Sequence, residues 1–224
     1  MTIRKALLLV GSPRGNKSNS FSLGSFLMKK LNENGVETTT MMVKDALKSK
    51  ERIEDMLKEI DKTDLIVLAF PLYVDSLPAM DIKLLQIISE HRSGSTDKIG
   101  FVPMVNCGFP EAIHNKTAIS ICRNFASRAN LEWRGGLSLG GGMAVASRPL
   151  EEVGGVARNM INSLEMAARS LAEGEPIPKE SEERMALLIA PKWLFIRLGN
   201  KMWKKQAKEN GVENELNARP YIDD

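Results

Sequence analysis

Ala6-Leu7-Leu8-Leu9-Val10-Gly11-Ser12-Pro13-Arg14 is the stretch on which the reading of this chain turns. An unbroken apolar run gives way to a loop of small and hydroxylated residues carrying one arginine. Ser18-Asn19-Ser20 follow, and then a helical pattern. Strand, loop and helix start, in that order, make an anion site. Loop N–H groups and hydroxyls can face a phosphate, and the helix N-terminus adds partial positive charge. Arg14 adds a forked, charge-assisted contact. A phosphorylated ligand at the carboxyl end of the first strand is therefore expected. Ordinary turns also use Gly, Ser, Pro and Asn. A nucleotide P-loop fits poorly, because residues 11–18 read Gly-x-x-x-x-Asn-Lys-Ser. Asn16 stands where the second glycine belongs, and Pro13 removes a backbone donor.

Working outward, apolar runs alternate with helical patterns. Lys5–Val10 reads as a first strand, and Phe21, Leu23, Phe26, Leu27 and Leu31 as a helix stopped by Asn34-Gly35. Residues 36–43 are rich in β-branched side chains and read as a second strand, followed by a helix marked by Ile53, Met56, Leu57 and Ile60. Residues 65–70 form a continuous apolar run, as a strand buried on both faces requires. A helix marked by Met80, Leu84, Ile87 and Ile88 starts after Pro78. Residues 99–105 read as a fourth strand despite Pro103, and 131–139 as a fifth. Ala118, Ile121, Cys122, Phe125 and Ala129 mark the helix between them. Val153, Val156, Met160, Leu164, Ala168 and Leu171 carry the cleanest helical stripe.

Five strands alternating with five helices predict a doubly wound parallel sheet with helices on both faces. Strand order 2-1-3-4-5 is the first choice. Ligands then sit beyond the carboxyl ends of strands one, three and four, where the order reverses. Residues 1–174 are expected to form this domain, and 175–224 a helical C-terminal extension after the linker-like Glu175-Pro176-Ile177-Pro178. Breaks are expected in the extension at Pro191 and at Gly199-Asn200.

Composition sets limits. The chain has 224 residues, 43% of them hydrophobic, long enough for a large core. A net charge of +3 gives no argument for nucleic-acid binding. No stretch reaches the roughly 18 apolar residues of a membrane span, and no signal peptide is expected. Cys107 and Cys122 suggest a reducing, cytoplasmic setting and are too few for a four-cysteine cluster. His91 and His114 lack a ligand-spaced partner, so no metal is expected.

Two further loops converge with the first. Pro71-Leu72-Tyr73-Val74-Asp75-Ser76-Leu77-Pro78 is stiffened by two prolines, and Tyr73 offers a ring with a polar tip. Asn106-Cys107-Gly108-Phe109-Pro110-Glu111 offers Asn106 and the backbone near Gly108 to the polar edge of a planar ligand. Cys107 has no neighbouring cation to lower its pKa and reads as a small buried hydrophobe.

On Gly11-Ser12-Pro13-Arg14 with Ser18-Asn19-Ser20, and on residues 71–78, the chain resembles the NADPH-dependent FMN reductase family, a branch of the flavodoxin-like superfamily. The resemblance covers roughly residues 3–172. It implies that Ser12, Arg14, Ser18 and Ser20 hold the FMN phosphate, with Asn19 at the helix start. It implies that Pro71, Leu72, Tyr73 and Val74 line the ribityl chain and the isoalloxazine. Asn106, Cys107 and Gly108 would lie near the pyrimidine end. It implies an enzyme in which NADH or NADPH reduces FMN, and the electrons pass to a quinone, free flavin, metal ion or protein. No catalytic side chain is assigned, since the cofactor carries the chemistry. A homodimer is expected, because neighbouring subunits in such proteins complete the flavin site. The iron–sulfur relatives carry a cysteine cluster that is missing here. A flavodoxin-type carrier that does not use NAD(P)H is the alternative, as is a flavin-binding module with a docking tail.

The tail motivates that last alternative. Residues 184–208 hold basic residues and no acidic ones, interspersed with Trp193, Phe195, Ile196, Leu198, Met202 and Trp203. Such a helix can lie at a membrane surface. Docking on its own domain or on a second subunit is the favoured reading. The glycines at 135–136 and 140–142 fit close backbone packing, a loop near the flavin, or a subunit contact.

Overall fold

The computed structural model describes residues 2–219. Its strands are β1 (Lys5–Val10), β2 (Glu37–Met42), β3 (Leu65–Pro71), β4 (Ile99–Asn106), β5 (Leu131–Trp133) and β6 (Leu137–Leu139). All pairings are parallel, in the order β2-β1-β3-β4-β5, with β6 also on β4. This is the expected doubly wound sheet.

The predicted fifth strand is divided. β5 pairs with residues 99–101 of β4, and β6 with residues 104–106. Gly135 between them takes φ +109°, and the Gly136 N–H turns to the Glu182 carboxylate at 2.8 Å. Pro103 explains the place of the break. The Phe101 carbonyl and the Cys107 N–H both bond on this side of β4, so by alternation Pro103 faces it too. It has no N–H to offer, and the neighbouring strand leaves the ladder there.

The helices are α1 (Asn19–Glu33), α2 (Val43–Ala46), α3 (Lys50–Ile60), α4 (Ala79–His91), α5 (Lys116–Arg128), α6 (Arg158–Ala172), α7 (Lys179–Met185) and α8 (Lys192–Glu209). The short α2 takes over Val43, which the sequence assigned to the second strand. Short 3-10 turns at Leu150–Glu152 and Gly154–Ala157 precede α6, so that helix begins later than its apolar stripe.

Strand alternation sorts the core into two layers. Leu8, Val10, Val67, Ala69, Val102 and Met104 face α1, α6 and α7. Leu7, Leu9, Ile66, Leu68, Phe70 and Phe101 face α3, α4 and α5. Each such side chain removed from water contributes about 1.5–3 kcal/mol. That explains the near-continuous apolar runs of the central strands.

A first compact unit ends at Ile189, and a second begins at Ala190. The first unit thus runs past the linker-like stretch after Gly174. The Ile177 N–H donates to the Arg134 carbonyl at 2.7 Å. Ser163 of α6 and Ser181 of α7, both fully buried, each donate a hydroxyl to the other's carbonyl at 2.7 Å. In the second unit α8 starts after Pro191, as expected, but runs unbroken through Gly199-Asn200. One interior glycine costs about 1 kcal/mol, and the strong helix formers around it outweigh that. Asn210 and Gly211 (φ +71°) end the helix instead.

Removing the Ser163 hydroxyl leaves the buried Ser181 carbonyl without that donor. Ser163→Ala is expected to lower stability by about 1–3 kcal/mol in urea unfolding. An unchanged midpoint would show that this pair does not hold α7.

Candidate functional site

The carboxyl ends of β1, β3, β4 and β6 lie side by side, and the loops leaving them form one cluster. The first loop bends at Gly15 (φ +58°), whose N–H donates to the Ser12 carbonyl at 2.9 Å. Ser18 caps α1 by accepting from the Phe21 N–H at 3.1 Å, and it donates to the Gly15 carbonyl at 2.6 Å. Its hydroxyl is therefore committed to the loop's own shape. Ser12 is buried, and among the described residues its hydroxyl makes no hydrogen bond. The N–H groups of Ser12, Arg14, Asn19 and Ser20 likewise meet no acceptor among the described residues. The last two are the orphan donors at the start of α1.

Exposed cations surround these donors. Arg14 makes no ion pair among the described residues. Lys44, on α2, lies against Gly15, so close that a Cβ there would sit 2.7 Å from its Nζ. Lys44 escaped the sequence reading because its helix did.

Asn19 and Asn106 stitch the cluster together. Asn19 donates to the Gly142 carbonyl at 2.7 Å and accepts from the Ser147 N–H at 2.8 Å. Asn106 is buried and donates to Ser20 Oγ at 2.8 Å and to the Phe70 carbonyl at 3.1 Å. These amides hold loops in place. The glycine-rich segment is part of the same structure. The Gly141 and Gly142 N–H groups donate to the carbonyls of Phe109 and Cys107, and a Cβ at Gly140 would run into the Pro110 carbonyl. Of the three roles left open for these glycines, close backbone packing beside the site is what 140–142 do.

Cys107 is buried, its thiol faces the Phe109 and Glu111 carbonyls, and burial pushes its pKa up. Burial favours the neutral thiol. Gly108 has open space around it. Phe109 is exposed and lies against the His114 ring, with centroids 4.3 Å apart.

The loop after β3 carries strain. The Leu72 N–H bonds the Asn106 carbonyl at 2.9 Å, and Tyr73 and Ser76 close a two-residue turn through reciprocal backbone bonds of 2.9 and 3.0 Å. Val74 (φ +47°) and Asp75 (φ +59°) occupy its tip in the left-handed region, and Val74 is 98% exposed. A β-branched residue is an outlier there. Pro71, half-buried Leu72 and exposed Tyr73 complete the loop.

Asp81, which the sequence reading missed, lies between the loop after β1 and the loop after β3. It is fully buried, neither carboxyl oxygen finds a partner among the described residues, and the carboxyl fills the space that a Cβ on Gly11 would need. Burial raises its pKa to about 8, so it is largely protonated at neutral pH. The same burial, and then the Asp81 charge, push Cys122 up. A signal did exist in the sequence. Asp81, Leu84, Leu85 and Ile88 are the buried stripe of α4, which sets an acid at a core position.

The profile of a family described as a flavodoxin-like fold matches residues 4–82, which span the loops after β1 and β3 and Asp81. No curated protein sequence matches the chain. Among solved structures, rubredoxin oxygen:oxidoreductase from the anaerobe Desulfovibrio gigas is 10% identical with a TM-score of 0.55, over 82% of this chain and 37% of its own. An FMN-dependent NADH-azoreductase from Bacillus anthracis str. Ames Ancestor, solved in complex with FMN, is 13% identical with a TM-score of 0.55, over 75% of this chain and 100% of its own. An NAD(P)H:quinone oxidoreductase from Methanothermobacter marburgensis is 16% identical with a TM-score of 0.50, over 76% and 96%. The likeness is one of fold: the chain adopts a flavodoxin-like fold.

Two outcomes test this geometry. Unfolded, Asp81 ionises near its ordinary value of 3.8, whereas the folded chain keeps the proton up to about 8. Between those values the folded state binds more protons. The Asp81 contribution to stability therefore falls as pH rises through that window and levels off above it. Asp81→Asn removes that slope, so its stability relative to wild type should climb from about pH 5 to about pH 8 in urea unfolding. A constant gap would refute the buried acid. Val74→Asn relieves the left-handed strain and should add about 1 kcal/mol to stability in the same assay, whereas a loss would place the turn's tip in contacts that need valine.

Proposed function

We propose that this chain is an FMN-dependent NAD(P)H oxidoreductase. The observation that carries the reading is the set of unused donors and cations where β1 passes into α1. The unbonded hydroxyl of Ser12, the free N–H groups of Asn19 and Ser20, and the Arg14 and Lys44 side chains suit a dianionic phosphate monoester. In this reading Ser12, Arg14 and Ser20 hold the phosphate, and Ser18 and Asn19 fix the loop that presents them. Pro71, Leu72, Tyr73 and Val74 line the ribityl chain and one side of the ring. The backbone at Asn106, Cys107 and Gly108 meets the ring's polar edge, with Gly108 leaving room for close approach.

Bound FMN supplies a ring that takes hydride from a nicotinamide and hands electrons to an acceptor. The protein's part is to orient and shield, and no side chain acts as nucleophile. The fold-mates named above include an FMN-dependent NADH-azoreductase and an NAD(P)H:quinone oxidoreductase, which supports a quinone or similar small acceptor. Exposed Tyr73, Val74, Phe109, Ile113 and Met143 on the loops of this cluster support a second subunit covering the ring. Two buried free cysteines support a cytoplasmic setting.

Titration of the purified chain with FMN and with riboflavin tests the phosphate grip. FMN is expected to bind much more tightly. Arg14→Ala is expected to weaken FMN roughly ten- to a hundredfold, the worth of a hydrogen bond to a charged group, and to leave riboflavin unchanged. NADPH or NADH should then bleach the bound flavin, and a quinone should restore its colour. Binding of neither flavin would overturn the reading. Flavin that dithionite bleaches but nicotinamides do not would make the chain a carrier.

A further inference from the structure

We propose that α8 is an interfacial anchor that lies on the surface of a bilayer containing anionic lipid. The helix spans 18 residues, which at 1.5 Å per residue gives a rod of about 27 Å. At 3.6 residues per turn, Arg197, Lys201, Lys204, Lys205 and Lys208 fall within one sector of about 100°. Leu194 is the sole apolar residue inside it. The remaining arc carries the other apolar side chains, with Trp193 near one end of the helix and Trp203 a few turns on, and also Lys192, Asn200, Gln206 and Glu209. Both tryptophans are 65% exposed, and Ile196, Leu198 and Met202 are exposed with them.

Charge decides between a lipid surface and a protein partner. On two other exposed helices, acids lie among the bases and pair with them. Lys58 meets Asp55 on α3, and on α7 Lys179 meets Glu183 and Arg184 meets Glu180. On α8, Arg197, Lys201, Lys204 and Lys208 form no ion pair among the described residues, and the terminal Glu209 reaches Lys205 alone. A second copy of the chain would cover the apolar arc and leave the one-signed basic face unexplained. An anionic bilayer uses both: headgroups meet the cations, and indole rings sit at the headgroup level where one end is apolar and the other wet. No described helix is long and apolar enough to cross a membrane, so the helix lies flat. The sequence alone favoured docking on protein, and the exposed apolar arc with its unpaired cations reverses that preference.

The test is co-sedimentation of the full chain with phosphatidylcholine vesicles, with and without phosphatidylglycerol. The chain is expected to pellet with the anionic vesicles at about 0.1 M salt, and to be released at about 1 M, where the Debye length shrinks to roughly 3 Å. Each cation removed should weaken binding roughly fivefold, so Arg197→Gln/Lys201→Gln/Lys204→Gln is expected to lose on the order of a hundredfold. Trp193→Ser/Trp203→Ser should also lose binding. A chain left in the supernatant at low salt overturns the proposal, and so does equal recovery on neutral vesicles. Wild type that stays off vesicles and elutes as a dimer, with the tryptophan variant monomeric, would assign the helix to self-association. None of these readouts involves flavin, so they stand or fall apart from the oxidoreductase reading.

Discussion

The amide of Asn106 binds the cluster of loops into one object. Buried at the end of β4, it donates to Ser20 at the start of α1 and to the carbonyl of Phe70 at the end of β3. Three chain segments far apart in sequence are thereby held in register. Asn19 extends the same arrangement to the glycine-rich segment. A buried amide left unpaired costs about 1–3 kcal/mol, so these groups lock one arrangement of the loops and penalise others. The unused donors at Ser12, Arg14, Asn19 and Ser20 are thus presented by a frame that is already set, which lowers the ordering cost of taking up a ligand.

Much of the fold was legible because its central strands are buried on both faces. Lys5–Val10 and residues 65–70 announce themselves by unbroken apolar composition, and a glycine or a proline marks the end of each run. Right-handed crossovers leave few topologies, and strand order 2-1-3-4-5 is the first choice among them. What the sequence concealed depends on contacts between distant segments. Nothing near residue 134 signals that Pro103, one strand away, forces the edge strand apart. The short α2 has too few residues to show a period, so Lys44 stayed out of view beside Gly15. Ser18, Asn19 and Asn106 lie on the converging loops, and their side chains serve the frame. That role appears only when partners are known.

Asp81 shows how a local anomaly can be read in both directions. The apolar stripe of α4 contains one acid, and Gly11 directly after β1 contains no side chain. Each is explained by the other, since the carboxyl occupies the space a Cβ would take. The interior tolerates the group because it is kept neutral, and it lies directly under the loop that gathers Arg14 and Lys44. An ionised carboxylate there would oppose the positive field of that loop.

The divided strand beside β4 has a consequence for how the molecule behaves among its own copies. Long exposed strand edges invite pairing with neighbouring chains, and proteins blunt them by keeping edge strands short or bent. Here the far border consists of two three-residue pieces separated by a glycine kink. Such a border offers no continuous template for stacking along that side of the sheet.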